Sequence, residues 1–192
     1  MSARWPPEAG RPGPAAGEVH VWRAERADWI ASRWALRTVM ARYLDEDPAA
    51  IVLRTGAHGK PALADASTRL DFNLSHSGSI ILIAIASGLE LGIDVEQMEP
   101  GRDFLALAER GLGPDVSALL REREPADRIG AFYAAWVRHE ALLKCGGGGF
   151  GNPIPDRAVT VRELEIDAGY AAALAVAGTD AVPIRCFSLP SP

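Results

Sequence analysis

The sequence predicts an α+β fold, a pseudo-dimer of two similar halves in which each half packs a long helix on a small, mostly antiparallel sheet. Two long segments, 27–44 and 126–145, carry apolar residues at helical spacing. Three short strand-like segments follow each of them, so the same order of elements occurs twice. A faint echo between GSIILIAIASG at 78–88 and GYAAALAVAG at 169–178 supports the repeat. Two such halves would enclose a cleft, and we expect a candidate active site at this seam.

Length and composition limit the class of protein. The chain has 192 residues, of which 48% are apolar and 23% charged, as in a soluble globular protein. The net charge of −5 argues against general nucleic-acid binding. No apolar run reaches membrane-spanning length, and the N-terminus lacks a signal-peptide core. The two cysteines, Cys145 and Cys186, suggest reduced thiols in a cytoplasmic protein.

The first half is predicted to span 18–99. A disordered leader rich in Pro, Gly and Ala is predicted before it, at 1–17. The early elements of the half are a strand, a long helix capped by Asp28, a short strand and a loop, at 18–24, 27–44, 51–54 and 56–61. The apolar residues of the helix are Trp29, Ile30, Leu36, Val39, Met40, Tyr43 and Leu44. A further strand leads into Phe72.

A polar segment and an apolar strand follow. The residues at 73–78, Asn-Leu-Ser-His-Ser-Gly, are typical of a turn between two strands. The segment also concentrates hydroxyls, backbone N–H groups and the His76 imidazole, which suits an anion; alternatively, His76 is a structural turn histidine. The run at 80–86 has no polar side chain, as in a strand buried on both faces.

Two acids lie on one face of the next strand, 91–96. Because side chains alternate along a strand, Asp94 and Glu96 point together, opposite the apolar residues, and Gly92 leaves space beside them. Their Cα atoms are about 6.5 to 7 Å apart. Carboxylates this close resist ionising together, and a cation such as Mg²⁺ removes the conflict. The alternative is an edge strand with a solvated acidic face.

The second half is predicted to span 100–192, after a break at Pro100-Gly101. Its elements are a short helix, a stop, a long helix and three strands, at 104–110, 111–114, 126–145, 159–166, 170–177 and 182–189. The predicted core-facing stripe of the long helix consists of Ile129, Phe132, Trp136 and Leu143, and includes Glu140.

Glu140 and Lys144 are candidate site residues on this helix. An acid on a core-facing stripe is unfavourable unless it is paired or binds a metal. Lys144 lies one turn further on, and a plain surface pair with Glu140 is the alternative. Of the 20 basic residues, only Lys60 and Lys144 are lysines. Lysine differs from arginine where a compact charge must meet phosphate.

Four motifs together resemble the 4′-phosphopantetheinyl transferases. They are Gly59-Lys60-Pro61, Phe72-Asn73-Leu74-Ser75-His76-Ser77, Gly92-Ile93-Asp94-Val95-Glu96 and Trp136-x-x-His139-Glu140-Ala141-x-x-Lys144. Their order and spacing match the larger, surfactin-synthetase type, whose single chain is a pseudo-dimer, over about 18–189. The resemblance implies a cytoplasmic monomer that transfers the phosphopantetheine arm of coenzyme A to a serine of an apo carrier protein. Adenosine 3′,5′-bisphosphate is the other product.

The resemblance also implies roles for individual residues. Asp94, Glu96 and Glu140 would hold Mg²⁺ against the diphosphate of coenzyme A. Lys144 and His76 would contact the diphosphate oxygens, and Ser75 a phosphate. The remaining residues, Lys60 and Pro61, would line the adenine and ribose-phosphate end. Glu140 is also the candidate acceptor for the serine proton.

The sequence departs from the family pattern in three places. The segment between the first strand and first helix is short, so the basic grip on the 3′-phosphate is missing or supplied by Arg23, Arg26, Arg33 or Arg37. His139 replaces the lysine usual before the helix glutamate, and the family's further acid has at best Asp115 here. These departures leave open a non-catalytic or impaired relative that binds carrier protein or coenzyme A. A transition-metal hydrolase using His76, His139, Asp94 and Glu140 is a further alternative.

Overall fold

The computed structural model describes residues 13–25, 29–55, 61–65, 68–147, 156–178 and 181–190. In chain order, their helices and strands are β1 (Val19–Glu25), α1 (Trp29–Leu44), β2 (Leu53–Thr55), β3 (Pro61–Leu63), β4 (Leu70–Ser77), β5 (Ile80–Ser87), β6 (Leu91–Gln97), α2 (Phe104–Gly111), α3 (Pro114–Glu122), α4 (Pro125–Cys145), β7 (Val159–Glu163), β8 (Tyr170–Ala177) and β9 (Ile184–Ser188). The mixed α+β class is confirmed. Within these ranges, every helix is too short or too polar to cross a membrane.

Two sheets and one hairpin organise the strands. The first sheet has the order β4-β5-β1-β9, and its pairs are antiparallel except β1 with β9. The second has the order β6-β8-β7 and is antiparallel throughout. Strands β2 and β3 form a separate hairpin. Among the described residues, five strands rather than the predicted three lie between α1 and α2. The last of them, β6, joins β8, and the third strand after α4, β9, joins β1.

The two sheets pack face to face. Leu82 and Ala84 of β5 belong to one buried cluster with Ile93 of β6 and Leu174 of β8. The alternate residues of β5 belong to a second cluster, which α1 covers on the outer face of the first sheet. Strand β5 is apolar from Ile80 to Ala86 because both of its faces are buried there, as its sequence predicts.

Helix α1 packs on the first sheet through part of its predicted apolar face. Leu36, Val39 and Met40 are buried with Trp22 of β1. Ile30 was expected in this face but is 78% exposed. It lies in the first turn of the helix, outside the buried cluster. The predicted cap, Asp28, lies outside the described residues, as do residues 1–12 of the predicted leader.

Helix α4 covers the outer face of the second sheet, but along a different row from the predicted stripe. Val137, Ala141 and Cys145 pack against Ala173 and Ala175 of β8. These small residues let the helix approach closely, and the row follows i, i+4 spacing. The larger side chains Ile129, Phe132 and Trp136 pack instead against α2 and α3. Glu140 consequently lies half-buried at the edge of the packed face rather than at its centre.

Helix α3 was not predicted, because the Gly-Leu-Gly-Pro segment was interpreted only as a stop. Gly113 has a φ of 96°, and Pro114 occupies the first turn of α3. Proline is favoured there because its missing N–H would have no helical partner. The same four residues therefore end α2 and begin α3.

The polar segment at 73–78 also differs from the prediction. Strand β4 continues to Ser77 and pairs with β5 along its whole length. Only Gly78 and Ser79 form the turn, and Gly78 has a φ of 56°. Asn73, Ser75 and Ser77 are therefore strand residues on one face, because strand side chains alternate.

Candidate active site

The candidate site begins where β4 of the first sheet meets β6 of the second. Strand β6 is an edge strand of the described structure, where its one pairing partner is β8. On the other edge of β6, polar side chains of β4 accept hydrogen bonds from the backbone N–H groups. The three hydrogen bonds run from Ile93 N–H to Asn73 Oδ1 (2.9 Å), from Val95 N–H to Ser75 Oγ (3.4 Å) and from Gln97 N–H to Ser77 Oγ (3.0 Å). We call this set of bonds the β4–β6 ladder.

The two serines of the ladder also hold the two acids of β6. Ser75 donates its hydroxyl hydrogen to Asp94 Oδ1 at 2.8 Å. Ser77 donates to Glu96 Oε2 at 2.9 Å. Both strands repeat every two residues, so each serine meets the acid that lies across the seam from it. Asp94 is only 3% exposed.

Lys144 reaches this seam from α4. Its Nζ donates to Asp94 Oδ1 at 2.6 Å, to Ser75 Oγ at 3.0 Å and to the Ile93 carbonyl at 3.3 Å. An ammonium has three N–H donors, and these contacts use all of them. Gly92 permits the approach, because a Cβ there would overlap the Ala141 carbonyl oxygen and the Cys145 amide. The space predicted beside Gly92 is thus filled by the α4 backbone.

Three carboxylates influence one another at this seam. Burial raises the pKa of Glu96, and the Asp94 charge adds to the shift, while the Ser77 hydrogen bond opposes it. Burial likewise raises the pKa of Glu140; Asp94 and Glu96 add to that shift, and Lys144 opposes it. Asp94 Oδ2 is buried and has no hydrogen-bond partner in the structure. The acids of β6 and α4 are therefore close enough to repel, and one of their oxygens is unsatisfied.

The described residues do not form a ready metal-ligand cluster. No three His, Cys, Asp or Glu side chains among them come together in a way that would hold an ion. Asp94 Oδ1 instead accepts hydrogen bonds from Lys144 and Ser75. The predicted magnesium site of Asp94, Glu96 and Glu140 stays a prediction.

His76 is not brought to the Lys144–Asp94 contact. It lies between Ser75 and Ser77 on β4, so its exposed side chain points to the opposite face of the strand. This arrangement gives no support to a transition-metal hydrolase that combines His76 with Asp94. His139 on α4 is half-buried, and burial lowers the pKa of its imidazole, which keeps it neutral near pH 7.

A cavity of about 450 Å³ lies beside Pro61, at the end of α4. Phe72 and Leu91 contribute to its wall, and Cys145 and Gly146 close the side formed by α4. Its charged residues among those described are Arg54, Asp65, Asp71 and Glu90. Glu90 forms an ion pair with Arg157. Lys60, the other predicted residue here, lies outside the described residues.

Arg33 and Arg37 line a different cavity. It has a volume of about 510 Å³ and is formed by α1 and the segment after it, with Ile30, Trp34 and Asp47 in its wall. Among the described residues, none lines both this cavity and the one beside Pro61. Arg23, another candidate for the 3′-phosphate, forms an ion pair with Asp167.

Sequence reasoning missed the parts that Asn73 and Ser77 play in the ladder. Both were assigned to a turn, where side-chain direction carries no periodicity. The signal was the spacing Asn73-x-Ser75-x-Ser77, which has the same period of two as the acids of β6.

Comparisons with known proteins agree with the resemblance. The model of the 4′-phosphopantetheinyl transferase superfamily matches residues 90–185, which is 96 of the 192 residues. A model of the N-terminal part of 4′-phosphopantetheinyl transferases matches residues 19–88. The chain therefore belongs to the 4′-phosphopantetheinyl transferase superfamily, a family of transferases.

Individual relatives are identical to this chain at about a third of the aligned positions. A putative 4′-phosphopantetheinyl transferase of Synechocystis sp. strain PCC 6803 is 34% identical over 160 residues, covering 81% of this chain and 65% of the relative. HetI of Nostoc sp. strain PCC 7120 is 35% identical over 65% of this chain and 53% of its own length. AcpT of Salmonella typhi is 34% identical over 64% of this chain and 60% of its own length. The chain thus spans about half to two thirds of these relatives.

Proposed function

We propose that this protein transfers the 4′-phosphopantetheine arm of coenzyme A to a serine of an apo carrier protein, with Mg²⁺, and releases adenosine 3′,5′-bisphosphate. One observation carries the proposal. Lys144 of α4 contacts Asp94 of β6 and Ser75 of β4 at a single point. Three of the four motifs of the resemblance therefore converge, although they are far apart in the chain. The names of the matching relatives, 4′-phosphopantetheinyl transferases, agree with this activity.

We propose further that the chain is the pseudo-dimer of the surfactin-synthetase type, with halves at 18–99 and 100–192. The two family models match on either side of residues 88–90, just before β6 and therefore ahead of the proposed boundary at 99–100. The reciprocal pairing of β6 with β8 and of β9 with β1 supports two interlocked halves. The candidate site would then lie at their seam, with Lys144 from the second half and Ser75 and Asp94 from the first.

The residues present fit a magnesium ion in their chemistry. Mg²⁺ prefers oxygen ligands and is bound in proteins by one or two carboxylates together with substrate phosphates. Asp94 offers a buried oxygen without a partner, and Glu96 and Glu140 have pKa values raised by burial and by the neighbouring acids. Those three residues would hold the ion. When bound, Mg²⁺ would neutralise charge on the diphosphate.

The protein groups would act by position and charge. The carrier serine Oγ would attack the phosphorus next to pantetheine, and the bond from that phosphorus to the adenosine bisphosphate oxygen would break. Glu140 would accept the serine proton, since burial raises its pKa towards the range useful for a base. Lys144 would contact the diphosphate oxygens by exchanging one of its present hydrogen bonds, and alignment and charge neutralisation supply most of the catalysis. The contact of His76 with these oxygens stays an expectation of the resemblance, and its side chain lies on the opposite face of β4.

The cavity beside Pro61 would receive the adenine end of coenzyme A. Its wall combines apolar residues with a few polar groups, as small-molecule sites do. Lys60, next to Pro61 in the sequence, would add a cation there. Ser75 already bonds Asp94 and Lys144, so the phosphate contact first assigned to it would require those bonds to rearrange.

Location and oligomeric state stay predictions. Cys145 and Cys186 do not form a disulfide with each other, which supports the expectation of a cytoplasmic protein. We also expect a monomer, with no nucleic-acid or membrane partner, from the resemblance and the net charge of −5.

Carrier loading tests the proposal. The protein is incubated with coenzyme A, Mg²⁺ and a panel of apo carrier proteins, and the mass of each carrier is measured. We expect one or more carriers to gain the phosphopantetheine arm, and chelation of the metal to stop the reaction. Asp94→Asn should abolish loading, whereas Asp127→Asn, an exposed acid on α4, should not.

The same experiment addresses the alternative of a non-catalytic relative. Lys144 bound to Asp94, without a ready ligand cluster among the described residues, is the observation that favours it. Binding of coenzyme A or of an apo carrier, without any mass change across the panel, would support that alternative. It would contradict the proposed transfer.

A further inference from the structure

We infer that Ser77 is a positioning residue that fixes Glu96, so that one defined carboxylate oxygen remains for a bound cation. The inference deepens the proposed function and rests on it for the cation. Family resemblance assigns no role to Ser77. The argument comes from the hydrogen bonds of the β4–β6 ladder.

Each serine of the ladder accepts a backbone N–H of β6 and donates its hydroxyl hydrogen to an acid of the same strand. Ser77 Oγ accepts the Gln97 N–H at 3.0 Å and donates its own hydrogen to Glu96 Oε2 at 2.9 Å. A hydroxyl has a single hydrogen to donate. Because the backbone of β6 holds the Ser77 oxygen, the donated hydrogen is directed at one oxygen of Glu96 and not the other.

Asp94 shows the state of the second carboxylate oxygen when a serine holds the first. Oδ1 accepts from Ser75 and from Lys144, whereas Oδ2 is buried without a hydrogen-bond partner. At Glu96, Oε2 accepts the hydrogen bond from Ser77, and Oε1 does not take part in that bond. In each acid of β6, one carboxylate oxygen therefore accepts a hydrogen bond from a serine of β4, and the other oxygen does not.

Glu96 depends on its serine more than Asp94 does. Asp94 is held by a lysine as well as a hydroxyl, and its side chain is short. Glu96 has a longer side chain, and its bond to Ser77 is the one hydrogen bond that the structure records for its carboxylate among the described residues. Losing an outer partner of a metal ligand typically lowers metal affinity about 10- to 100-fold.

A purely structural role would be to satisfy the Gln97 N–H of an edge strand. That role needs only an acceptor oxygen, so it predicts lost stability without a specific change in metal affinity. The positioning role needs the hydroxyl hydrogen as well. Metal affinity measured directly, beside thermal stability, therefore separates the two.

The experiment uses the full chain with saturating coenzyme A and Mn²⁺ as the probe ion, followed by electron paramagnetic resonance. The variants are Ser77→Ala, Ser77→Thr and Ser77→Cys. Ser79→Ala is the matched control, because Ser79 is an exposed hydroxyl in the adjoining turn that contacts Tyr170 rather than an acid. Thermal unfolding is measured for each.

We expect Ser77→Ala to weaken Mn²⁺ binding about tenfold or more, and Ser77→Thr, which keeps the hydroxyl, to stay close to the wild type. Ser77→Cys should lie between them, because a thiol is a weak donor, and it serves as the test if Ser77→Ala does not fold. Ser79→Ala should change nothing. The concentration of Mg²⁺ that half-saturates carrier loading should follow the same order.

Unchanged Mn²⁺ affinity in Ser77→Ala or Ser77→Cys would overturn the inference, as would an equal loss in Ser77→Thr. A wild-type protein that binds no Mn²⁺ would also overturn it. A wild-type protein that binds Mn²⁺ and responds to Ser77→Ala, yet loads no carrier, would contradict the proposed transfer and leave the role of Ser77 intact.

Discussion

At the scale of single residues, the ion pair of Lys144 with Asp94 dominates the candidate site. The ammonium donates to a carboxylate, a hydroxyl and a backbone carbonyl, which lie on two strands of different sheets. Lys144 is 26% exposed in its side chain, so the pair is open on one side. A compact cation in this position can turn one of its three N–H donors to a phosphate beside it while it keeps the contact with Asp94.

Lys144→Arg should therefore not be conservative. A planar guanidinium fork cannot direct donors to three acceptors arranged around one point. We expect kcat/KM for carrier loading to fall about tenfold or more, which corresponds to about 1.4 kcal/mol in the barrier. Arg138→Lys, an exposed residue of the same helix, is the control. Unchanged kinetics in Lys144→Arg would remove this lysine from the mechanism.

The raised pKa of Glu96 makes a second prediction at this scale. The folded protein binds the Glu96 proton more tightly than the unfolded chain does, so this residue lowers stability increasingly as pH rises above the ordinary value of 4.5. Glu96→Gln mimics the protonated form. We expect the metal-free variant to be more stable than the wild type at pH 7.5, with the difference vanishing as pH falls to 4.5.

Thermal unfolding of the metal-free protein over this pH range measures the effect. Glu122→Gln, an exposed acid of α3, should show no such difference. Added Mg²⁺ should stabilise the wild type more than Glu96→Gln, because the ion relieves the same repulsion. A variant less stable than the wild type at pH 7.5 would contradict the prediction.

At the scale of elements, the fit of α4 against β6 sets the site. The helix backbone passes directly over Gly92, and Lys144 extends from the turn that makes this contact. The row of Val137, Ala141 and Cys145 packs on alanines of β8, which keeps the distance short. The position of the lysine therefore depends on small residues that carry no chemistry themselves.

Gly92→Ala should move the helix and disable the site. The added Cβ would lie within 2.8 Å of the Lys144 carbonyl carbon and nearer still to the backbone of Ala141 and Cys145, which cannot yield as a flexible side chain could. Overpacking of this kind costs about 1–3 kcal/mol, and we expect carrier loading to be lost with it. Urea unfolding measures the first effect and loading the second.

Gly130→Ala, in the same helix, is the control. No atom lies within 4 Å of a Cβ at that position, and alanine favours a helix over glycine by about 1 kcal/mol. This variant should be as stable as the wild type or more so, with normal loading. A Gly92→Ala variant that behaved in the same way would show that α4 does not need this close contact.

At the scale of the whole molecule, the walls of the two cavities differ in their charged residues. Among the described residues, the wall of the cavity beside Pro61 has three acids, Asp65, Asp71 and Glu90, and one basic residue, Arg54. Arg33 and Arg37 of α1 line the other. Apart from Lys60, which is outside the described residues, the proposed adenine end therefore offers little to a phosphate.

We predict a weak contribution from the 3′-phosphate of coenzyme A. With solvated arginines or a single partner, this group should contribute about 1 kcal/mol, near the range of exposed ion pairs. The preference for coenzyme A over its 3′-dephospho form in kcat/KM should be under about a hundredfold and should shrink with added salt. Both substrates, assayed with one apo carrier at two ionic strengths, measure it. A preference of several thousandfold that survives high salt would reveal a well-formed phosphate pocket.

The sequence alone determined what depends on local periodicity. The apolar run of β5, the alternation that puts Asp94 and Glu96 on one face of β6, and the two long helices are all confirmed. Each is a short-range property, because burial of one or both faces dictates which residues recur at a spacing of two or of three to four. The motifs and their fixed spacing likewise identified the family.

Only the tertiary structure decided which elements meet. Lys144 and Asp94 are 50 residues apart, and nothing local distinguishes this pair from the one expected between Lys144 and Glu140. The same holds for Asn73, Ser75 and Ser77, whose place in a strand depends on the edge of β6 that they cover. Backbone N–H groups on a buried edge must find acceptors, and the packing of two sheets, rather than any local pattern, determined that β4 supplies them.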